Sequence, residues 1–224
     1  MSETIITVQG TASEWFEAER ATVNVQVSHD GPKREPVFTA TTTVAAEVTA
    51  ALAELEGTAV TRWSSDRIRV WSNRPWNNEG KQLAPVYHAA LSVTARFQDF
   101  DALADFVERF SVVAGVTLAG ISWDLTEERR LEVTGDIQAR AVQDATVKAT
   151  TYARAAGLAR VTAVAIADPG MLGDGSGSQP GFDAPRGRGS SKMLMAADAG
   201  APALEFTPDR IEVTAHVDAR FLAS

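Results

Sequence analysis

The sequence predicts an α+β fold: a mainly antiparallel sheet, about three helices packed on one face, and a long Gly-rich insertion before the last strand. Three observations carry this. Several segments alternate apolar and polar residues with period two, and turn-rich stretches separate them as in hairpins. Other segments switch to an apolar spacing of three or four. A last alternating segment follows a stretch dense in glycine, so it has to return and pair with the sheet.

Residues 4–10 and 21–29 read as the first strands, the second with Val23, Val25 and Val27 on one side and Thr22, Asn24 and Gln26 on the other. Gly31-Pro32 breaks the chain. Val37, Ala40, Val44, Val48, Ala51, Leu52 and Leu55 then form a helical stripe, with Gly57 as its stop. Ile68 and Val70 oppose Arg67, Arg69 and Trp71 in a further strand. Asn73 to Pro85 is a turn region, and the return strand alternates from Tyr87 to Phe97. A second helix starts at Asp99 or Asp101, either of which can cap it, and buries Phe100, Leu103, Val107 and Phe110. Ile121, Trp123 and Leu125 mark the next strand.

A third helix runs to about Ala156, its start delayed or kinked by Thr134-Gly135. Its stripe of Ile137, Ala141, Ala145, Ala149, Tyr152 and Ala156 is mostly small, which favours helix and permits a neighbour to approach closely. Gly157 stands at the C-cap. Val161 to Ala167 is a short strand. Residues 168–208 hold many Gly, Pro and Ser without periodicity and read as a flexible insertion. Ile211, Val213, Ala215, Val217, Ala219 and Phe221 then alternate with polar residues in the closing strand. Strict strand–helix–strand alternation is missing, which disfavours a doubly wound nucleotide fold. The whole chain, 1–224, reads as one domain.

The net charge of −8 over 224 residues argues against a surface that grips nucleic acid or anionic lipid as a whole. The absence of cysteine excludes disulfide scaffolds, thiolate metal sites and cysteine catalysis. No apolar run reaches the roughly 20 residues of a membrane helix. The opening Met1-Ser2-Glu3-Thr4 is acidic and alternating, unlike an export signal, so the expected location is cytoplasmic.

Particular residues in this pattern resemble the SIMPL domain family. They are Ile6-Thr7-Val8-Gln9-Gly10 with Ala21-Thr22-Val23, Ile121-Ser122-Trp123-Asp124-Leu125, the Ala-rich run from Ala141 through Tyr152-Ala153 to Gly157-Leu158, and Met193, Met195, Pro208 and Ile211-Glu212-Val213. The chain departs from the family in carrying Ala18-Glu19 and Asp209 at positions where Pro-Asp and Gly are common. The resemblance implies an α+β fold, ring-like or channel-like oligomers in some relatives, and links to oxidative stress and, in animals, to a kinase-adaptor role. It carries over no catalytic residues, because the matching positions are core and capping residues.

No catalytic, cofactor-binding or metal-binding residues are expected. His88 and His216 lie on the polar faces of their strands and would form a metal or proton-transfer pair only if those strands were neighbours; solvated strand histidines are the simpler reading. Asp99, Asp101, Asp105 and Glu108 read as caps and solvated acids, and Glu127 to Glu132 as a solvated charge run. Arg186-Gly187-Arg188-Gly189 matches no phosphate loop. The candidate interface is Trp63, Arg67, Arg69, Trp71, Arg74 and Trp76, which interleave cations and aromatics in one turn-rich region. That pattern suits either single-stranded nucleic acid or protein, and the acidic chain favours protein. The expected function is a non-enzymatic, oligomer-forming interaction or stress-associated protein. The alternative is a small-ligand-binding or catalytic module with a cleft between sheet and helices.

Overall fold

The computed structural model describes residues 3–172 and 206–224. Its elements are β1 (Thr4–Phe16), β2 (Arg20–Gly31), α1 (Arg34–Leu55), β3 (Val60–Ser65), β4 (Arg69–Asn73), β5 (Val86–Phe97), α2 (Phe100–Ser111), β6 (Val116–Asp124), α3 (Glu127–Ala155), β7 (Val161–Ala167) and β8 (Ile211–Ala223). Helices and antiparallel strands mixed in this way make an α+β fold, as the periodicity predicts. The strands divide between two sheets, ordered β1-β8-β7 and β3-β5-β2-β6, with β4 also on β5. Two compact units follow from that division.

In the unit that begins at Glu17, β5 is central. It pairs with β2 from Ala21↔Phe97 to Gly31↔Tyr87. On its other side β3 and β4 lie end to end, with Val60↔Phe97 at one extreme and Asn73↔Val86 at the other. The sequence marks β4 and β5 but not β3. Its residues Val60-Thr61-Arg62-Trp63-Ser64-Ser65 are mostly polar and leave only a weak alternation. Val23, Val25, Val27, Val93, Ala95 and Phe97 point to the core, where α1 and α2 cover them.

The deep row of α1 is Val37, Thr41, Ala45, Val48, Ala51 and Leu52, so Ala40 and Val44 fall on its flank. Thr41 is fully buried, and its hydroxyl donates to the Val37 carbonyl at 2.9 Å. In α2 the fully enclosed residues are Leu103, Phe106 and Phe110, with Val107 at the edge. Phe106 packs between Phe97 and Phe110, at ring separations of 5.5 and 4.7 Å. Asp99, not Asp101, is the cap: its carboxylate accepts from the Asp101 and Ala102 amides.

The other unit packs α3 against β1 and β7, the outer strands of its sheet. Thr134-Gly135 does not delay α3, which starts at Glu127, runs through both residues and carries the acidic run in its first turns. An exposed glycine costs a helix only about 1 kcal/mol, less than the buried row contributes. That row is Val133, Ile137, Ala141, Ala145, Ala149 and Ala153, spaced by four. Tyr152 therefore lies outside it and is exposed. The helix ends in a Schellman motif: Leu158 donates to the Ala153 carbonyl at 2.9 Å and Gly157 to Arg154 at 3.0 Å. Gly157 adopts φ +76, as that motif requires.

β8 lies between β1 and β7, so the chain does return to a sheet after the glycine-rich stretch. Its row of Val213, Ala215, Val217, Ala219, Phe221 and Ala223 is buried. Residues 173–205, most of the expected flexible insertion, lie outside the described residues. Its described flanks are tied down. The Gly170 amide donates to Asp218 at 2.7 Å, and Arg220 donates to the Leu172 carbonyl at 3.0 Å. At the other end Phe206 packs edge-on against Trp123, 5.9 Å between rings.

Candidate interaction site

The candidate interface residues separate into two groups. Trp63 faces the core side of its sheet, opposite Ala95, and packs against the buried cluster while its indole N–H donates to Glu56 at 3.1 Å. It is thereby removed from the surface patch. Arg67, Arg69, Trp71, Arg74 and Trp76 are exposed. The signal that separates Trp63 from the others is parity along β5, which appears only once the register is known.

Strand pairing builds the centre of the patch. Trp71 is opposite His88, and the rings stack at 5.3 Å with 16° between planes. The Arg69 guanidinium lies 5.6 Å from the Trp71 ring centroid. His88 is held by Asn73, 2.7 Å from Nε2 to the amide oxygen. Trp71 is thus fixed in place while 44% exposed. Beyond it the hairpin tip is organised around Asn77, whose side-chain oxygen accepts from the Glu79 amide at 3.1 Å and the Lys81 amide at 2.8 Å. The Leu83 amide donates to the Pro75 carbonyl at 2.8 Å. This presents Trp76, 67% exposed, and Leu83, 45% exposed, on an ordered loop.

The other sequence candidates do not converge. His88 is on β5 and His216 on β8, strands of different sheets, so they are not strand neighbours. His216 Nδ1 is 3.2 Å from the Thr11 hydroxyl, and His29 Nδ1 is 3.3 Å from the Thr41 hydroxyl. Among the described residues no group of three or more His, Asp or Glu could hold a metal. No described helix is long and apolar enough to cross a membrane. A depression of about 220 Å³ beside His29, Pro36 and Val37 is small and largely apolar. A wider one of about 650 Å³ is lined by Gln98 and Asp99, and both already serve the fold. Gln98 donates to the Thr58 carbonyl at 2.6 Å, and Asp99 caps α2.

One feature that the sequence reading missed concerns the β1 edge. Two backbone groups of that edge strand are satisfied by α3 side chains instead of another strand. Asp144 accepts from the Thr11 amide at 2.9 Å, and Lys148 donates to the Gln9 carbonyl at 3.0 Å. The two side chains pair with each other at 2.7 Å. Covering an edge in this way blocks pairing with foreign strands. The i,i+4 spacing of Asp144 and Lys148 was legible; their use on a strand was not.

The hydrogen bond from Lys148, together with that from the Thr11 amide, holds the Asp144 carboxyl below its ordinary range. A depressed folded-state value means that the contribution is complete above about pH 4 and is lost as the pH falls through the folded-state value. An NMR titration should therefore place the Asp144 midpoint below that of a free carboxylate, with the Thr11 amide shift moving in step. Lys148→Met should raise that midpoint; an unmoved midpoint would show that Lys148 is not its cause.

The family model SIMPL, described as "Protein of unknown function (DUF541)", matches residues 6–221. No curated protein matches. Among solved structures, an amidase of the hydantoinase/carbamoylase family from Burkholderia phymatum is similar at 13% identity and a TM-score of 0.28. That match covers 58% of this chain and 36% of the amidase. The chain thus spans about a third of that protein's length, and a likeness so low carries no conclusion about chemistry.

Proposed function

Since the chain belongs to the SIMPL family, whose model covers residues 6–221 without assigning a chemistry, we propose from its surface that it is a non-enzymatic protein that assembles with copies of itself through the β4–β5 hairpin. The observation that carries this reading is the exposure of Trp71, Trp76 and Leu83 together on one ordered hairpin. Tryptophan and arginine are the residues that most often anchor protein interfaces. A monomer that leaves such a cluster in water exposes an apolar patch of the kind monomers seldom carry. The hairpin's outer strand, β4, pairs only with β5 among the described residues, so a second copy would also cover a sheet edge. Self-association of this kind is normally symmetric. A stress-associated role extends the same reading on the strength of the family resemblance.

Light scattering tests the proposal. The wild type is expected to be oligomeric at micromolar concentration. Trp71→Ala with Trp76→Ala is expected to dissociate it, because each buried anchor contributes on the order of 2 kcal/mol. A monomeric wild type would reject assembly. An oligomer unchanged in the double variant would reject this hairpin as its interface.

A further inference from the structure

We propose that the open face of the β3-β5-β2-β6 sheet binds a small oxyanion, carrying phosphoryl or carboxylate oxygens, between Arg62 and Arg96. The register makes these residues direct cross-strand partners. Parity puts both on the face opposite the core, since their neighbours Trp63, Ala95 and Phe97 point inward. Like charges directly opposite in a sheet repel, and such a pair is usually separated or neutralised. Among the described residues neither guanidinium has an ion pair. The Arg96 Nε is moreover buried and, among the described residues, without a hydrogen-bond partner, a state that folded proteins seldom leave uncompensated.

The other charges of this face do not neutralise the pair. Arg69 adds a third cation, already placed over Trp71. Asp124 is engaged by Arg20 at 2.7 Å through one oxygen and by the Leu125 amide at 2.9 Å through the other. Asp30 is opposite His88, eight positions along β5 from Arg96, roughly 26 Å away at the rise of a strand. Asp66, whose amide donates to the Ser92 carbonyl at 2.8 Å, continues the same outward row four positions from Arg62, roughly 13 Å away at the rise of a strand. The nearer neighbours are neutral and polar, including Ser64, opposite Thr94, whose hydroxyl donates to Asn24 at 2.9 Å. Planar guanidinium groups match oxyanions in paired hydrogen bonds, and two of them with no described acid paired to either form a receptor with its charge unspent. The chain's overall charge of −8 makes this cationic spot a local exception, so long-range attraction adds little and short-range geometry decides.

Calorimetric titration of the full chain with inorganic phosphate and, separately, with citrate tests this, in chloride buffers of matched ionic strength. Saturable binding of at least one is expected, weakened about tenfold or more by Arg62→Gln and unchanged by Arg154→Gln on α3. Phosphate alone would assign a phosphoryl ligand, citrate alone a carboxylate, and both the chemistry they share. Because Arg62 is exposed, Arg62→Gln should fold, and in chloride alone it should melt no lower than wild type. Absence of saturable heat with either anion, or binding undiminished in Arg62→Gln, would overturn the site. So would a lower melting temperature of that variant in chloride, which would show that the fold itself uses the charge.

Discussion

Gly10→Ala is expected to destabilise the unit built on β1 and α3 by about 3 kcal/mol or more, at or beyond the upper end for overpacking. A Cβ on Gly10 would sit 2.0 Å from the Ala141 carbonyl oxygen, 2.8 Å from the Ala145 amide nitrogen and 2.9 Å from the Ala145 Cβ. The first two are backbone atoms, so no rotamer change relieves them. α3 would have to retreat from β1 and loosen the contacts of Ile137, Ala141 and Ala145, all fully buried. Urea unfolding monitored by circular dichroism measures the loss. Gly135→Ala is the internal control: nothing lies within 4 Å of its added Cβ, and removing a helical glycine should stabilise by roughly 0.5–1 kcal/mol. Two glycine-to-alanine changes in one unit should therefore act with opposite sign. A harmless Gly10→Ala would show that the helix does not approach the strand as closely as the packing implies.

Deleting residues 209–224 is expected to leave that unit unable to fold. β8 is the middle strand of its sheet, so its loss unpairs β1 and β7 together. It also removes a continuous buried row from Val213 to Ala223. The milder variant Phe221→Ala grades the effect: Phe221 is 2% exposed, and such truncations cost about 3–5 kcal/mol. Soluble yield and melting temperature report both. A soluble deletion that melts like the full chain would contradict the central place of β8.

Much of the fold was legible because alternation and helical spacing are local properties of the chain. The rows Val23-Val25-Val27 and Val213 to Phe221 face inward as their period requires. The Ala141-Ala145-Ala149 stripe does admit a close neighbour, and Gly10 is where it approaches. Errors arose where local signals were weak or near-degenerate. β3 carries few apolar residues, and Val107 and Phe106 differ by a single helical step of about 100°.

The candidate site was legible in composition but not in membership. Tryptophan and arginine cluster in residues 62–81, yet which of them reach water depends on pairing with β5. Trp63 turns inward and Trp71 outward for that reason. The same pairing sets Arg62 against Arg96, residues far apart along the chain.

By itself the sequence determined the types of the elements, their order and most of their buried faces, since each depends on residues within a few positions of one another. Only the tertiary structure decided how the strands divide between two sheets, which flank of each helix lies deepest, and how Asp144 and Lys148 close the β1 edge. Those outcomes depend on which distant segment supplies the partner, and neither periodicity nor propensity within one segment encodes that choice.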